Sequence, residues 1–172
     1  MSTIHSNQSN RLVEFHCFNV ANFDCGDKDL NEFLKEDAIR YQDNKMANTI
    51  VLIEKERVVG FFSLCTDAIK LGNLEKDQCD NLKPSEEYPA VKIARLAVDK
   101  SVQSLGLGKL IIQVAVGLII ARVSNIVGTR FITVDSYHNR IDFYKRFGFN
   151  EHSKYKKKDN YVSMRYDLLN PK

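Results

Sequence analysis

Between residues 96 and 112 the chain reads LAVDKSVQSLGLGKLII, a strand-like run joined to a helix-like run by a turn that holds Gly106 and Gly108. A strand, a glycine-bearing turn and a helix N-terminus present several unpaired backbone N–H groups at the positive end of a helix dipole, which suits a phosphate. Two nucleotide fingerprints fail on this stretch. A dinucleotide G-x-G-x-x-G meets Ile111 where its third glycine belongs, and a P-loop lacks both its first glycine and the hydroxyl residue after Lys109. What does match is Q-x-x-G-x-G, Gln103 to Gly108, with Y-x-x-x-G-F, Tyr144 to Phe149, one strand and one helix downstream.

The elements that must position these residues follow from periodicity. Residues 12–20 alternate and are rich in β-branched and aromatic side chains, as a first strand should be. From Asp27 onward Leu30, Phe33, Leu34 and Ala38 recur at three- and four-residue intervals, one apolar face of a helix capped by Asp27 or Gly26. Two apolar runs, 49–54 and 58–69, flank the polar EKER and predict a hairpin. Residues 71–89 carry five acids against two lysines and read as a long surface loop. AVKIARLAV is a further strand, its apolar end at 94–98 suggesting burial on both faces. KLIIQVAVGLIIARV is apolar almost all round, and its length favours a buried helix over 108–125. RFITVDSY predicts a strand, IDFYKRFGF a short helix ended by Gly148, and NYVSMRYDLL a closing strand. The order strand, helix, three strands, helix, strand, helix, strand defines an α/β domain with one mixed sheet covered by helices.

Composition narrows the function classes. A chain of 172 residues, 44% hydrophobic and 27% charged, describes one globular domain, read here as residues 11–172 after a flexible stretch at 1–10. The net charge of +3 and pI of about 8.6 fall short of an excess that would argue for nucleic acid by itself. Cys17, Cys25, Cys65 and Cys79 form no C-x-x-C pair and have no histidine at ligand spacing, so neither a metal site nor a disulfide framework is expected. The N-terminus is polar, and no run approaches the roughly 20 apolar residues of a membrane span, so a cytoplasmic protein is expected.

With the loop and tyrosine motifs in this order, the sequence resembles the GCN5-related N-acetyltransferases (GNAT) from residue 12 to about residue 169. The resemblance implies the GNAT fold, a central, mostly antiparallel twisted mixed sheet with helices on both faces, and acetyl-coenzyme A as cosubstrate with no metal. A narrower resemblance rests on FDCGDKDLNEFL, GFFSLCTDAI, ARLAVDKSVQSLGLG and DFYKRFGF, which look like the acetyltransferase toxins of toxin–antitoxin pairs. It implies transfer of acetyl to the α-amino group of aminoacyl-tRNA, an antitoxin partner and a homodimer. Acid at Glu86 and Glu87 would repel a phosphate backbone, which keeps open an alternative acceptor, a small-molecule amine or a protein N-terminus. A non-catalytic acetyl-CoA-binding or partner-binding module is the alternative of another class.

By the same resemblance, the backbone of Leu96, Ala97 and Val98 would polarise the thioester carbonyl. Gln103, Ser104, Leu105, Gly106, Leu107, Gly108 and Lys109 would bind pyrophosphate through backbone N–H groups, and Arg146 completes the cofactor-binding set. Arg140, where the family often has a small residue, would reach cofactor phosphates or lie on the solvent face. Tyr144 is the expected general acid, because a phenol with an ordinary pKa near ~10 stays protonated at neutral pH and can donate to a thiolate. The plainer reading makes Tyr144 a core aromatic with Phe143 and Phe147. No base stands out: His138, Glu32, Glu36 and Asp37 read as solvated. Residues 154–158, KYKKK, read as a solvated hairpin turn, with contact to RNA or a cofactor phosphate as the alternative. Cys25 and Cys65 read as small buried hydrophobes rather than nucleophiles.

Overall fold

The computed structural model describes residues 11–14, 19–72, 87–152 and 160–170. The expected flexible start, most of the acidic loop, the KYKKK turn, Cys17 and Cys79 lie outside them. Seven strands follow the hydrogen-bonded order β1-β2-β3-β4-β5-β7-β6, and the chain forms two compact units, to both of which β3, β4 and α3 contribute.

The first unit comprises residues up to Leu64 together with Arg95–Ile112. Strand β1 (Arg11–Glu14) runs antiparallel to β2 (Asn48–Glu54), with Arg11 opposite Ile53 and Glu14 opposite Ile50. Asn19 and Val20 belong to no strand, so the expected first strand stops short of the length its alternation suggested. Strand β3 (Arg57–Ile69) folds back on β2 through the expected hairpin: Glu54 pairs with Arg57, and Lys55 and Glu56 form a two-residue turn in which both have positive φ.

Asp27 caps helix α1 (Lys28–Glu32), its carboxylate accepting the Leu30 N–H at 3.1 Å. The helix continues through a π-helical turn (Phe33–Asp37) into α2 (Ala38–Asp43). Phe33, Leu34 and Ala38 are the residues it buries, against Phe23, Val51, Val58, Phe61 and Ala97. Strand β4 (Tyr88–Val98) leads through a 3₁₀ turn (Lys100–Leu105) into α3 (Leu107–Leu118), which ends in a second π-helical turn (Ile119–Val123). The expected helix is there, but only one stripe of it, Ile111, Ile112, Ala115 and Ile119, is buried; Leu110 and Ile120 face solvent. Its near-continuous apolar composition overstated its burial.

The second unit comprises Cys65–Ala94 and Gln113–Lys172. Strand β5 (Phe131–Tyr137) runs parallel to β4 from Ala90 opposite Phe131 to Lys92 opposite Thr133. A 3₁₀ turn (His138–Arg140) and helix α4 (Ile141–Lys145) follow, and Gly148 (φ 84) ends the turn as expected. Strand β7 (Tyr161–Asp167) pairs antiparallel with all of β5, and β6 (Asn150–Glu151), too short to leave a period in the sequence, pairs with β7. Ile69, Leu71, Tyr88, Ala90 and Phe131 form a core, with Arg130 lying 4.9 Å over the Phe131 ring while its guanidinium grips Asp167 with two hydrogen bonds.

Candidate active site

The glycine loop owes its shape to a buried aspartate. Asp99, 4% exposed, caps the 3₁₀ turn: its carboxylate accepts the Ser101 N–H at 3.0 Å, the Ser101 hydroxyl at 2.5 Å and the Asp24 N–H at 3.0 Å, with Arg57 3.7 Å away. Burial pushes its pKa up, but those donors and Arg57 outweigh burial and hold it below the ordinary carboxylate value. Asp24 in turn accepts from the Lys100 ammonium at 2.5 Å and from Gly26 N–H and the Asn31 amide at 2.9 Å each, which drives its own pKa down. The Gln103 amide donates to the carbonyls of Val98 (3.0 Å) and Cys25 (2.9 Å). Its side chain therefore ties the end of β4 to the segment before α1.

Gly106 then reverses the chain with φ 76, a conformation that costs other residues, and a Cβ built there meets nothing within 4 Å. Leu107 and Gly108 open α3, so their N–H groups precede the first intrahelical acceptor; Lys109 and Leu110 donate to the Gly106 carbonyl at 3.0 and 3.3 Å. Ser104, Leu105, Gly106 and Lys109 are exposed. An exposed loop that ends in the N–H groups of Leu107 and Gly108, at the start of a 12-residue helix, fits a diphosphate. Helix α3 is set at its depth by Gly60, where a Cβ would lie 2.3 Å from Ile111 Cδ1 and 3.1 Å from the Ala97 carbonyl oxygen.

Leu96, Ala97 and Val98 lie past the ladder that β4 makes with β5, which ends at Lys92. Ala97 and Val98 are buried and Leu96 half-buried, so it is their main chain rather than their side chains that this strand end offers.

In the second unit Tyr144 is 8% exposed, its ring set edge-on against Phe143 (5.1 Å) and Phe149 (5.6 Å). The plainer reading is thus right about the ring, although its partner is Phe149 rather than Phe147. No described residue hydrogen-bonds its hydroxyl. Burial pushes its pKa up to about 12, with the nearby Arg140 charge pulling the other way. Arg146 is exposed, its Nε donating to the Asp142 carbonyl at 3.2 Å.

The sequence-predicted residues from Leu96 to Lys109 are brought together in the first unit, and Tyr144 and Arg146 belong to the second. Glu32 pairs with Lys28 (3.5 Å) and Asp37 with Arg40 (2.5 Å), and Glu36 and His138 are exposed, all as solvated groups should be. The Cys25 thiol is half-buried against the first core and pushed up by burial, which suits packing and not nucleophilic attack. Among the described residues no group of three His, Cys, Asp or Glu is placed to hold a metal, and no helix is long and apolar enough to cross a membrane. Sequence reasoning missed Asp99, Asp24 and Lys100. The D-x-S spacing of Asp99 and Ser101 ahead of the glycines was the available signal, since an aspartate two residues before a serine commonly closes such a turn.

An α/β sheet carrying a glycine loop at the end of a buried strand, with a buried tyrosine on a later short helix, defines an acyl-coenzyme A transferase scaffold. Residues 20–169 match the family model described as Acetyltransferase (GNAT) domain, and the chain belongs to that family, whose acetyl donor is acetyl-CoA. It is 27% identical over 131 residues to a tRNA-acetylating toxin of Mycobacterium tuberculosis, covering 76% of this chain and 77% of the relative. Among solved structures, a tyrosine-to-phenylalanine mutant of KacT matches with a TM-score of 0.80 at 24% identity, covering 94% of this chain and 96% of that one. AtaT complexed with acetyl-methionyl-tRNAfMet matches with a TM-score of 0.79 at 23% identity over the same shares. Likeness at that identity establishes the fold.

Proposed function

We propose that this protein transfers acetyl from acetyl-CoA to the α-amino group of aminoacyl-tRNA. The observation that carries the chemistry is Tyr144: a phenol held protonated by burial, with a hydroxyl that no described residue occupies. Acetyl-CoA supplies an activated acyl carbon and a thiolate leaving group. The chain's own residues then have three tasks. The loop of residues 103–109 holds the pyrophosphate, with the N–H groups of Leu107 and Gly108 at the start of α3 as its donors, main-chain N–H at Leu96–Val98 takes up charge developing on the acyl oxygen, and Tyr144 hydrogen-bonds the sulfur as the C–S bond breaks. With a pKa near 12 the phenol gives up its proton reluctantly, so its contribution is donation to developing sulfur charge; the neutral amine attacks, and the proton its nitrogen sheds once bonded to the acyl carbon balances the charge that leaves on the thiolate. Arg146, exposed on the second unit, is a candidate phosphate contact.

The acceptor reading is supported by the relative that acetylates tRNA and by the AtaT complex with an acetylated aminoacyl-tRNA. It also needs little base catalysis: an α-amine of pKa about 7.7–8.0 is partly neutral at cytosolic pH, whereas a lysine amine near ~10.4 is hardly so. AtaT also forms a complex with the C-terminus of an antitoxin, AtaR, and a partner of that kind, a homodimer and a cytoplasmic location belong to the same proposal. Total cell extract incubated with labelled acetyl-CoA and this protein, then separated into RNA, protein and small molecules, tests it. Label is expected in charged tRNA; label in protein or small amines alone would sink it.

A further inference from the structure

On β4, one residue before the strand end assigned to the thioester, stands Arg95, which is exposed. Its guanidinium carbon lies 5.2 Å from the centroid of the Phe33 ring, which is 5% exposed, and the Tyr41 ring meets Phe33 edge-on at 5.5 Å and is 37% exposed. The three residues form a short platform: a cation seated on a buried ring with a partly exposed phenol beside it. The side of the strand is fixed by alternation. Arg95 shares a face with Ala97, which packs with Phe33 and Phe61, whereas Gly60, next to Phe61 on β3, faces the other way and receives Ile111 of α3. Helix α3, which follows the proposed pyrophosphate loop, and the Arg95 platform therefore lie on opposite faces of these strands.

The helical segment makes a concession to build this platform. In an unbroken α-helix residues eight apart are rotated by about 80°, and one residue inserted into a turn turns them back by about 100°, to within about 20°. The π-helical turn Phe33–Asp37 supplies that rotation and aligns Tyr41 with Phe33. Such turns are rare within α-helices and recur at functional sites.

We propose that Arg95, held by Phe33 and flanked by Tyr41, positions the single-stranded 3′ end of the RNA acceptor, the guanidinium contacting a phosphate and Tyr41 a base. This rests on the aminoacyl-tRNA reading. Stacking on an aromatic uses the face of a guanidinium, and phosphate is gripped at its edge, so one arginine can do both; a lysine offers neither the plane nor the fork.

The test compares two acceptors, charged tRNA and an amino-acid amide, which carries the same α-amine and no phosphate. For Arg95→Ala the KM for charged tRNA rises about tenfold, with a smaller effect on the amide, so the ratio of the two kcat/KM values moves toward the amide; the salt slope of tRNA binding falls by about 0.7, as for one lost phosphate contact on a single strand. Arg95→Lys recovers the salt slope and not the KM, and Tyr41→Ala raises the KM for charged tRNA as well. Amide turnover by the same preparations reports that the variants are folded. If wild-type protein acetylates charged tRNA and the variants leave the acceptor ratio and salt slope unmoved, the platform has no such role. If wild-type protein acetylates the amide and not charged tRNA, the acceptor reading falls, and this inference with it.

Discussion

A buried phenol and an exposed one differ in what pH does to them, and Tyr144 can be tested on that difference. Burial raises its pKa, so the protonated donor persists well above pH 10, whereas an ordinary tyrosine would begin to lose its proton near ~10. The sign for the acceptor is opposite, since the amine must lose a proton to attack. With an amino-acid amide as acceptor, kcat/KM is expected to rise with pH to about 8 and to stay level to about 10.5, because the amine's ordinary pKa is about 7.7–8.0. A falling limb centred near 10 would show that the essential acid is an unburied group. Tyr144→Phe removes the donor and keeps the ring contacts with Phe143 and Phe149; it is expected to lower kcat by roughly 10²-fold with coenzyme A affinity nearly unchanged in calorimetry. Tyr144 was legible from the Y-x-x-x-G-F spacing. Its burial was legible as the plainer reading of a core aromatic, but its cover by Phe149 was not, because the turn at Gly148 and packing that no local period records bring that ring to it.

The glycine loop is a matter of elements rather than of single contacts. Gly106 holds φ 76 with space around it, so Gly106→Ala adds no clash and costs only the left-handed conformation, about 1–2 kcal/mol. The loop is expected to relax, raising the KM for acetyl-CoA by several-fold, with Gly106→Asn, which tolerates that conformation better, falling between. Asp99 works from beneath. Its folded-state pKa is depressed, so the stability it contributes is present above the unfolded value near ~3.9 and is lost as pH falls below about 4. Asp99→Asn leaves the N–H groups of Asp24 and Ser101 with a weaker acceptor, and urea unfolding at pH 7 should show a loss of about 1–3 kcal/mol that shrinks in acid. The loop's glycines were legible from residue type, but the capping aspartate was not: two of its four partners come from the distant residues 24 and 57, and the other two, the Ser101 N–H and hydroxyl, belong to a 3₁₀ turn invisible to a 3.6-residue period.

For the whole molecule, alternation, apolar runs and helical spacing located six of the seven strands among the described residues and the principal helices, because a segment buried on one face repeats its apolar side chains at its own period and one buried on both, as β3 is over residues 58–62, is apolar without a break. What they left out is equally physical. Strand β6 is two residues long, the π-helical turns change no residue type, and the one-sided burial of α3 is decided by what packs on Ile111 and Ile112 and not by its own composition. The strand order β5-β7-β6, in which the last strand of the chain inserts beside β5, also leaves no local trace.

The acceptor is the claim on which the whole account turns, and one measurement reaches it directly. Purified protein is incubated with labelled acetyl-CoA and isolated charged tRNA, the aminoacyl ester is hydrolysed, and the released amino acid is examined by mass. N-acetyl amino acid released from charged tRNA, with no label on uncharged tRNA, is the expected result. Charged tRNA recovered with its amino acid unmodified, under conditions where the same preparation acetylates another amine, would contradict it.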